Sequence, residues 1–356
     1  MVKIFIKTWG CQSNIADSEQ LAGLLKQRGY NLVNSEKEAD FIIANTCTVK
    51  SRTQSKELHY IRENSKDKKI LVGGCLTKTL DLRKYIPGVT AIFDTNSITK
   101  VPNIIEKPKD ILSDKKESRI SLPYIRKDKD TAIINIGQGC NSFCDFCATK
   151  LARGNLKSYR VGDIKRTLEK AVKEGCNRIN ISSQDNSCYG FDIKTSLPEL
   201  LKELITIKGN YQIRIGMMNP GDTLKIMKDL IKIYKNNKVM KFLHIPIQSG
   251  SNYLLKKMRR KHTVEDFIRI VKAFRKGIPN VTIASDVIIG HPLEKNIDFQ
   301  KTYDLIAETK PEVLNISKFS SRPGTEASKL PQLSSEIINE RSKKISNLYQ
   351  KIRTQF

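Results

Sequence analysis

Short β-branched runs alternate with helix-patterned stretches along nearly the whole chain, and no other feature of the sequence restricts the fold as strongly. Such alternation gives parallel sheets covered by helices. In the first segment Val2–Lys7, Phe41–Ala44, Ile70–Val72 and Ala91–Phe93 read as strands. Asp17–Arg28 reads as a helix, with Leu21, Leu24 and Leu25 at helical spacing and Gly29 as its stop. A second segment repeats the pattern, with strands expected at Ala132–Ile136, Arg178–Ser182, Gln212–Gly216, Phe242–Ile247, Thr282–Ile289 and Val313–Lys318. Six β/α units are too few to close an eight-stranded barrel but suit a partial one, whose chemistry belongs at the C-terminal ends of its strands. The fold class is therefore α/β. An N-terminal doubly wound parallel sheet (1–107) precedes a charged, proline-containing linker (108–130), a partial (β/α)6 barrel (131–333) and a basic C-terminal helix (334–356).

Charge points to a class of partner. Lys and Arg number 63 against 37 Asp and Glu, a formal charge of +26. A balance that basic suggests an anionic partner, of which a phosphate backbone is the commonest, although a lysine-rich surface gives the same total. The N-terminus lacks the apolar run of a signal peptide, and no stretch approaches a membrane-spanning length, so a cytoplasmic protein is expected. In that reducing compartment eight cysteines are metal ligands or catalytic groups sooner than disulfides.

Three of them stand in Gly139-Cys140-Asn141-Ser142-Phe143-Cys144-Asp145-Phe146-Cys147, a C-x3-C-x2-C loop after the first strand of the partial barrel. Three thiolates hold three irons of a 4Fe–4S cubane and leave the fourth iron open. An open iron can chelate the amino and carboxylate groups of S-adenosylmethionine (SAM), and an electron from the cluster then cleaves the sulfonium. A zinc site needs a fourth ligand, and none stands near in the sequence. Cys11, Cys47 and Cys75 form a dispersed second set, each just past the C-terminal end of an expected strand. In a parallel sheet those ends share one edge, where ligands bind. Position alone leaves open whether the three converge or are core cysteines. Cys176, at a helix end, reads as a packing residue; Cys188, near a strand end after Gln184-Asp185, could line the site, but packing is the favoured reading for both.

The runs Thr8-Trp9-Gly10-Cys11-Gln12-Ser13-Asn14, Asp17-Ser18-Glu19, Ala44-Asn45-Thr46-Cys47 and Gly74-Cys75 resemble the opening of radical-SAM methylthiotransferases. So do the Cys140–Cys147 loop, Ala152-Arg153-Gly154, Tyr189-Gly190, His244-Ile245-Pro246-Ile247-Gln248-Ser249-Gly250-Ser251, Met258-Arg259-Arg260 and Ser321-Arg322-Pro323-Gly324-Thr325, in order along nearly the whole chain. Thr149-Lys150, Ser183-Gln184-Asp185 and Met217-Met218-Asn219-Pro220 resemble the archaeal and eukaryotic branch, which acts on N6-threonylcarbamoyladenosine beside the tRNA anticodon. The usual Phe-Pro-Gly-Glu appears as His291-Pro292-Leu293-Glu294. The small C-terminal RNA-binding TRAM domain of the family has no counterpart before Phe356, so either the sequence is cut short or RNA is bound without it.

The resemblance implies two 4Fe–4S clusters, one on Cys140, Cys144 and Cys147 and an auxiliary one on Cys11, Cys47 and Cys75. It implies two SAM molecules, one methylating a sulfur at the auxiliary cluster and one cleaved to a radical that removes hydrogen from adenine C2. It also implies a tRNA substrate and a ferredoxin- or flavodoxin-like electron donor. Phe146, Gln184, Arg214, Gln248 and Ser249 lie on the cysteine loop or at strand ends and are candidate SAM contacts, Arg214 through the carboxylate. Lys150, Arg153, Lys157, Arg160, Arg259 and Arg260 are candidate phosphate contacts, and Tyr159 or Phe319 a stacking partner for the base. A radical-SAM enzyme acting on another tRNA base or on a protein side chain, or a non-enzymatic RNA-binding or cluster-carrier protein, are the rival readings.

Overall fold

The computed structural model describes residues 1–49 and 51–354. Strand β1 (Lys3–Thr8), helix α1 (Gln12–Gln27), strands β2 (Asn31–Leu32) and β3 (Phe41–Thr46), helix α2 (Ser51–Asn64) and strand β4 (Lys69–Gly74) open the chain. The short helix α3 (Leu82–Tyr85), strand β5 (Ala91–Ile92) and helix α4 (Val101–Glu106) complete the first layer. The five strands pair in the order β2-β1-β3-β4-β5, each pair parallel. Alternate residues serve opposite faces of such a sheet. Ile4, Phe41, Ile43 and Leu71 pack under α1 and α4 with Leu21, Leu25 and Ile104, while Ile42, Ala44, Ile70 and Val72 pack on the other side with Ile61 and Leu76. Burial on both faces is why these strands read as continuous apolar runs.

Residues 108–130 are not a loose tether. Ile111 extends the sheet beside Phe93, the Ile125 N–H donates to the Glu19 carbonyl at 2.9 Å, and Arg119 is buried against Asp17. The segment lies across α1 as a strap. Gly23 makes room for it, because a Cβ there would stand 2.3 Å from the Pro123 carbonyl carbon.

The second layer begins with β6 (Thr131–Asn135), the hairpin pair β7 (Gly137–Gln138) and β8 (Lys157–Ser158), and between them α5 (Ala148–Arg153). The units then run α6 (Val161–Lys173), β9 (Arg178–Ser182), α7 (Leu197–Ile205), β10 (Gln212–Ile215), α8 (Pro220–Tyr234), β11 (Phe242–His244), α9 (Asn252–Lys257) and α10 (Val264–Gly277). Strand β12 (Thr282–Ile289), α11 (Asn296–Thr309), β13 (Val313–Lys318) and α12 (Ser335–Arg353) follow. Strands β10-β9-β6 and β11-β12-β13 form two parallel sheets, joined by a parallel bridge between Ile213 and Val239. Together they make the open, six-stranded barrel expected from the sequence. Its outward residues, among them Ile134, Ile179, Ile213, Leu243 and Val287, are buried under the helices. Its inward residues Asn135, Asn180, Arg214, His244 and Asp286 are half-buried and polar. Positions 355 and 356 of the expected tail helix lie outside the described residues. Among the described residues no helix is long and apolar enough to cross a membrane.

Candidate active site at the seam of the two layers

Cys11, Cys47 and Cys75 follow the C-terminal ends of β1, β3 and β4, which are neighbours in the sheet. The three thiols therefore meet at one edge. Cys47 and Cys75 are buried while Cys11 is exposed. Burial first, then the neighbouring Cys75 and Cys11, pushes the Cys47 thiol up to about 12, and burial pushes Cys75 upward as well. Metal ligands bind as thiolates, so a metal group held on these three sulfurs would have to displace their protons. Gly10 keeps the approach clear: it sits at φ +102, and a Cβ there would stand 2.8 Å from Cys47 Sγ.

Around this trio lies a buried polar frame. Asn14 Nδ2 donates to the carbonyls of Trp9 at 2.9 Å and Thr46 at 2.7 Å, tying α1 to β3. The Cys47 N–H donates to Glu57 Oε1 at 3.1 Å. Burial raises the Glu57 carboxyl to about 8 despite the positive charge of Arg322. Arg322 in turn donates to Gln54 at 2.5 Å.

The second trio sits on the loop between β7 and α5. Cys147 caps α5 and is pushed up to about 11 by burial and by Cys144 and Cys140. Arg260 Nη1 donates to Cys144 Sγ at 3.3 Å, and the Ser142 N–H to Cys140 Sγ at 3.3 Å. Cys188 lies against Cys140: their sulfurs and an Asp185 oxygen fall within 4.8 Å of one another. The contact with the Cys188 thiol lowers the Cys140 pKa and raises that of Cys188. Cys188 is buried and lies directly on a member of the trio. Cys176 is a plain core residue donating to the Lys129 carbonyl. Both trios fit iron–sulfur ligation in donor chemistry, with backbone or side-chain N–H groups aimed at their sulfurs.

The two trios face one seam. Gln184, beyond β9, accepts the Gly139 N–H at 2.6 Å through Oε1 and donates to Ser13 Oγ at 3.3 Å through Nε2. Ser13 stands two residues from Cys11, and Gly139 precedes Cys140, so one side chain bridges the two cysteine sites. Gly139 itself must be glycine, because at φ +77 a Cβ would stand 2.0 Å from the Asn155 carbonyl oxygen.

The remaining expected residues divide. Phe146 is half-buried on the cysteine loop. Arg214 lies on the inner wall with its guanidinium 4.3 Å from the Phe242 ring centre, and among the described residues it has no carboxylate within ion-pair distance. Gln248 holds a left-handed conformation (φ 73) and bridges to β12 beside Asp286, whose carboxylate pairs with His244 at 2.6 Å. Ser249 is buried against Thr302 of α11 and accepts the Ser251 N–H, which is loop capping. Lys150, Lys157, Arg160 and Arg259 are half-buried or exposed. Arg153 and Arg260, expected to meet phosphate, are turned inward. Arg153 is 3% exposed and paired with Asp17 at 2.6 Å, and Arg260 reaches Cys144. Tyr159 is core, hydrogen-bonded to Gln138, while Phe319 stands half-buried, edge-on to His291 at 5.4 Å.

Sequence reasoning gave no role to Asn14, Asp17, Glu57, Asp145, His291 or Lys116. Asn14 and Asp17 stand in the quoted cysteine-flanking runs, and polar residues on the helix that follows a ligand are the available signal. Lys116 gathers with Lys150 and Lys157 about the Asn155 turn. It is held near about 8 by burial and then by Lys150, Arg153, Arg119 and Lys157. Its ammonium rests on the carbonyls of Asn155 and Gln138, and an open groove of about 480 Å³ beside it is lined by Lys78, Asn96, Asn155 and Lys157.

Comparison with known proteins bears on this arrangement. Residues 134–306 match the Radical SAM superfamily, and residues 3–94 match the uncharacterized protein family UPF0004. A probable threonylcarbamoyladenosine tRNA methylthiotransferase of Pyrococcus horikoshii is 40% identical over 96% of this chain and 83% of that relative. The chain belongs to the threonylcarbamoyladenosine tRNA methylthiotransferase family. The human threonylcarbamoyladenosine tRNA methylthiotransferase is 36% identical over 98% of this chain and 62% of its own length. A radical SAM methyltransferase from Kitasatospora setae superposes with a TM-score of 0.66, covering 92% of this chain and 75% of that chain at 13% identity, a likeness of fold alone. Membership in the methylthiotransferase family makes this chain a radical SAM enzyme that uses SAM and an iron–sulfur cluster and transfers a sulfur-containing group.

Proposed function

We propose that the protein converts N6-threonylcarbamoyladenosine beside the anticodon of tRNA to its 2-methylthio derivative. The observation that carries this reading is the convergence of two cysteine trios on one seam, bridged through Gln184. The names of its relatives supply the substrate. Cys140, Cys144 and Cys147 would hold one 4Fe–4S cluster and Cys11, Cys47 and Cys75 a second. When bound, these groups supply the electron that cleaves SAM and the sulfur that is methylated and delivered to the base.

The chain's own residues provide placement. Gln184 fixes the Cys11 loop relative to the Cys140 loop, so the adenine is held between them. Arg214, on the inner wall and without a carboxylate partner among the described residues, is suited to the SAM carboxylate. Phe146, on the cysteine loop, and Gln248, beside β12, are the further candidates for contact with SAM. The phosphate contacts are Lys116, Lys150, Lys157, Arg160 and Arg259. The first three have carbonyl partners and, among the described residues, no carboxylate within ion-pair distance, which leaves their charge for an external anion. A small ferredoxin- or flavodoxin-like protein supplies electrons.

The test is mass spectrometry of tRNA nucleosides after incubation with anaerobically reconstituted protein, SAM and reductant. A methylthio mass gain on threonylcarbamoyladenosine is expected. SAM cleavage without any change in tRNA would overturn the substrate and favour a protein side chain instead.

A further inference from the structure

Arg153 stands between the two cysteine sites. It ends α5, whose N-cap is Cys147 of one trio, and its side chain reaches into the other. Nε donates to Cys75 Sγ at 3.4 Å, and Nη2 donates to Asn14 Oδ1 at 2.8 Å and Asp17 Oδ2 at 2.6 Å. Six helical residues span about 9 Å, so a single short helix connects the two cysteine sites. The guanidinium and Asp17 are both almost fully buried. Asp17 also takes Arg119 at 2.9 Å. Two guanidiniums therefore share one carboxylate, leaving a net buried positive charge beside Cys75.

A buried arrangement of that kind is costly to assemble, and it persists only when something nearby supplies the missing negative charge. Thiolates carrying an iron–sulfur cluster supply it. A cluster takes up one electron on reduction and becomes more negative by one charge. A hydrogen bond to a ligand sulfur and an adjacent cation both favour that state and raise its reduction potential.

We propose that Arg153 is the positioning residue that sets the reduction potential of the auxiliary cluster and fixes Cys75 relative to the SAM-side cysteine loop. Asp17 opposes it, so the pair works as a two-sided adjustment. The inference rests on the two-cluster reading of the proposed function, and the test separates the two.

The full-length chain with Cys140→Ala, Cys144→Ala and Cys147→Ala is reconstituted anaerobically, so that only the auxiliary cluster is loaded. Iron is counted, and the cluster is titrated with dithionite while its paramagnetic signal is followed. A parent that holds no iron overturns the two-cluster reading and the inference with it. In a parent that holds about four irons, Arg153→Gln is expected to move the midpoint to a more negative potential. Asp17→Asn, which removes the opposing charge, is expected to move it to a more positive one. A merely structural role predicts no opposed signs. Unchanged midpoints, or shifts in one direction for both, overturn the inference while leaving the cluster reading standing. If Arg153→Gln loses iron, Asp17→Asn decides alone: no positive shift overturns the proposal.

Discussion

His291 departs from the Phe-Pro-Gly-Glu run that the family resemblance leads one to expect, and its surroundings in the structure give the residue a role that can be measured. The ring is fully buried, with Nε2 3.0 Å from Asp145 Oδ2. Its Nδ1 accepts the Leu293 N–H at 3.3 Å, which assigns the proton to Nε2 and makes His291 the donor to Asp145. Asp145 lies between Cys144 and Phe146 on the cysteine loop. Its backbone is pinned to Met258 and Ala327, and among the described residues its Oδ1 has no partner. His291 is therefore the donor on which this buried carboxylate depends. His291→Phe keeps an aromatic ring beside Phe319 but leaves the buried carboxyl without its side-chain donor, a change that costs about 1–3 kcal/mol. Pairing it with Asp145→Ser removes the charge along with its donor. The double variant should recover much of that loss, with a coupling of roughly 1–3 kcal/mol. The assay is urea unfolding of the apo chain followed by circular dichroism, because Trp9, the only tryptophan, reports the other layer. A His291→Phe chain within about 0.5 kcal/mol of the parent, or simple additivity in the double variant, would refute the reasoning.

His262 is buried, and burial followed by the charge of Arg260 depresses its pKa from 6.5 to about 3. As pH falls below about 6.5 the unfolded chain takes up a proton that the folded chain refuses, so stability is lost toward pH 3 at about 1.4 kcal/mol per pH unit. His262→Gln should flatten that part of the stability–pH curve, and a curve parallel to the parent's would contradict the assignment. Glu294 is buried and paired with Arg341 of α12 at 2.6 Å. Arg341→Ala should cost about 3–5 kcal/mol in thermal unfolding and loosen α12, whereas loss of a surface pair would cost under about 1 kcal/mol. Lys116→Gln should weaken tRNA binding and reduce the slope of log affinity against log salt by about 0.7–0.9. An unchanged slope would remove Lys116 from the interface.

The strands of both layers were legible because sheets covered on both faces demand unbroken apolar runs, and Phe41–Thr46 and Thr282–Ile289 are such runs. Strand β2 was not anticipated, since two residues carry no periodicity. Helix α1 begins five residues ahead of its expected start. Ser13, Asn14 and Asp17 look like loop residues until their partners across the seam are seen. The cysteine spacing identified the compact trio directly, while the dispersed one needed the strand order, β1-β3-β4, to bring it together. Arg153 was misplaced because a cation in a basic chain defaults to the surface. Its partner Asp17 is 136 residues away, and only the packing of α5 against the first layer brings them together. The strap at residues 108–130 reads as a charged linker for the same reason: Arg119 and Ile125 find their partners on α1, a contact that composition does not encode.

The central claim, two thiolate trios each carrying a cubane across one seam, is tested most directly by iron content. Anaerobically reconstituted full-length protein should hold about eight irons per chain. Alanine at Cys11, Cys47 and Cys75 should leave about four, and so should alanine at Cys140, Cys144 and Cys147. About four irons in the parent, left unchanged when Cys11, Cys47 and Cys75 are removed, would contradict the account.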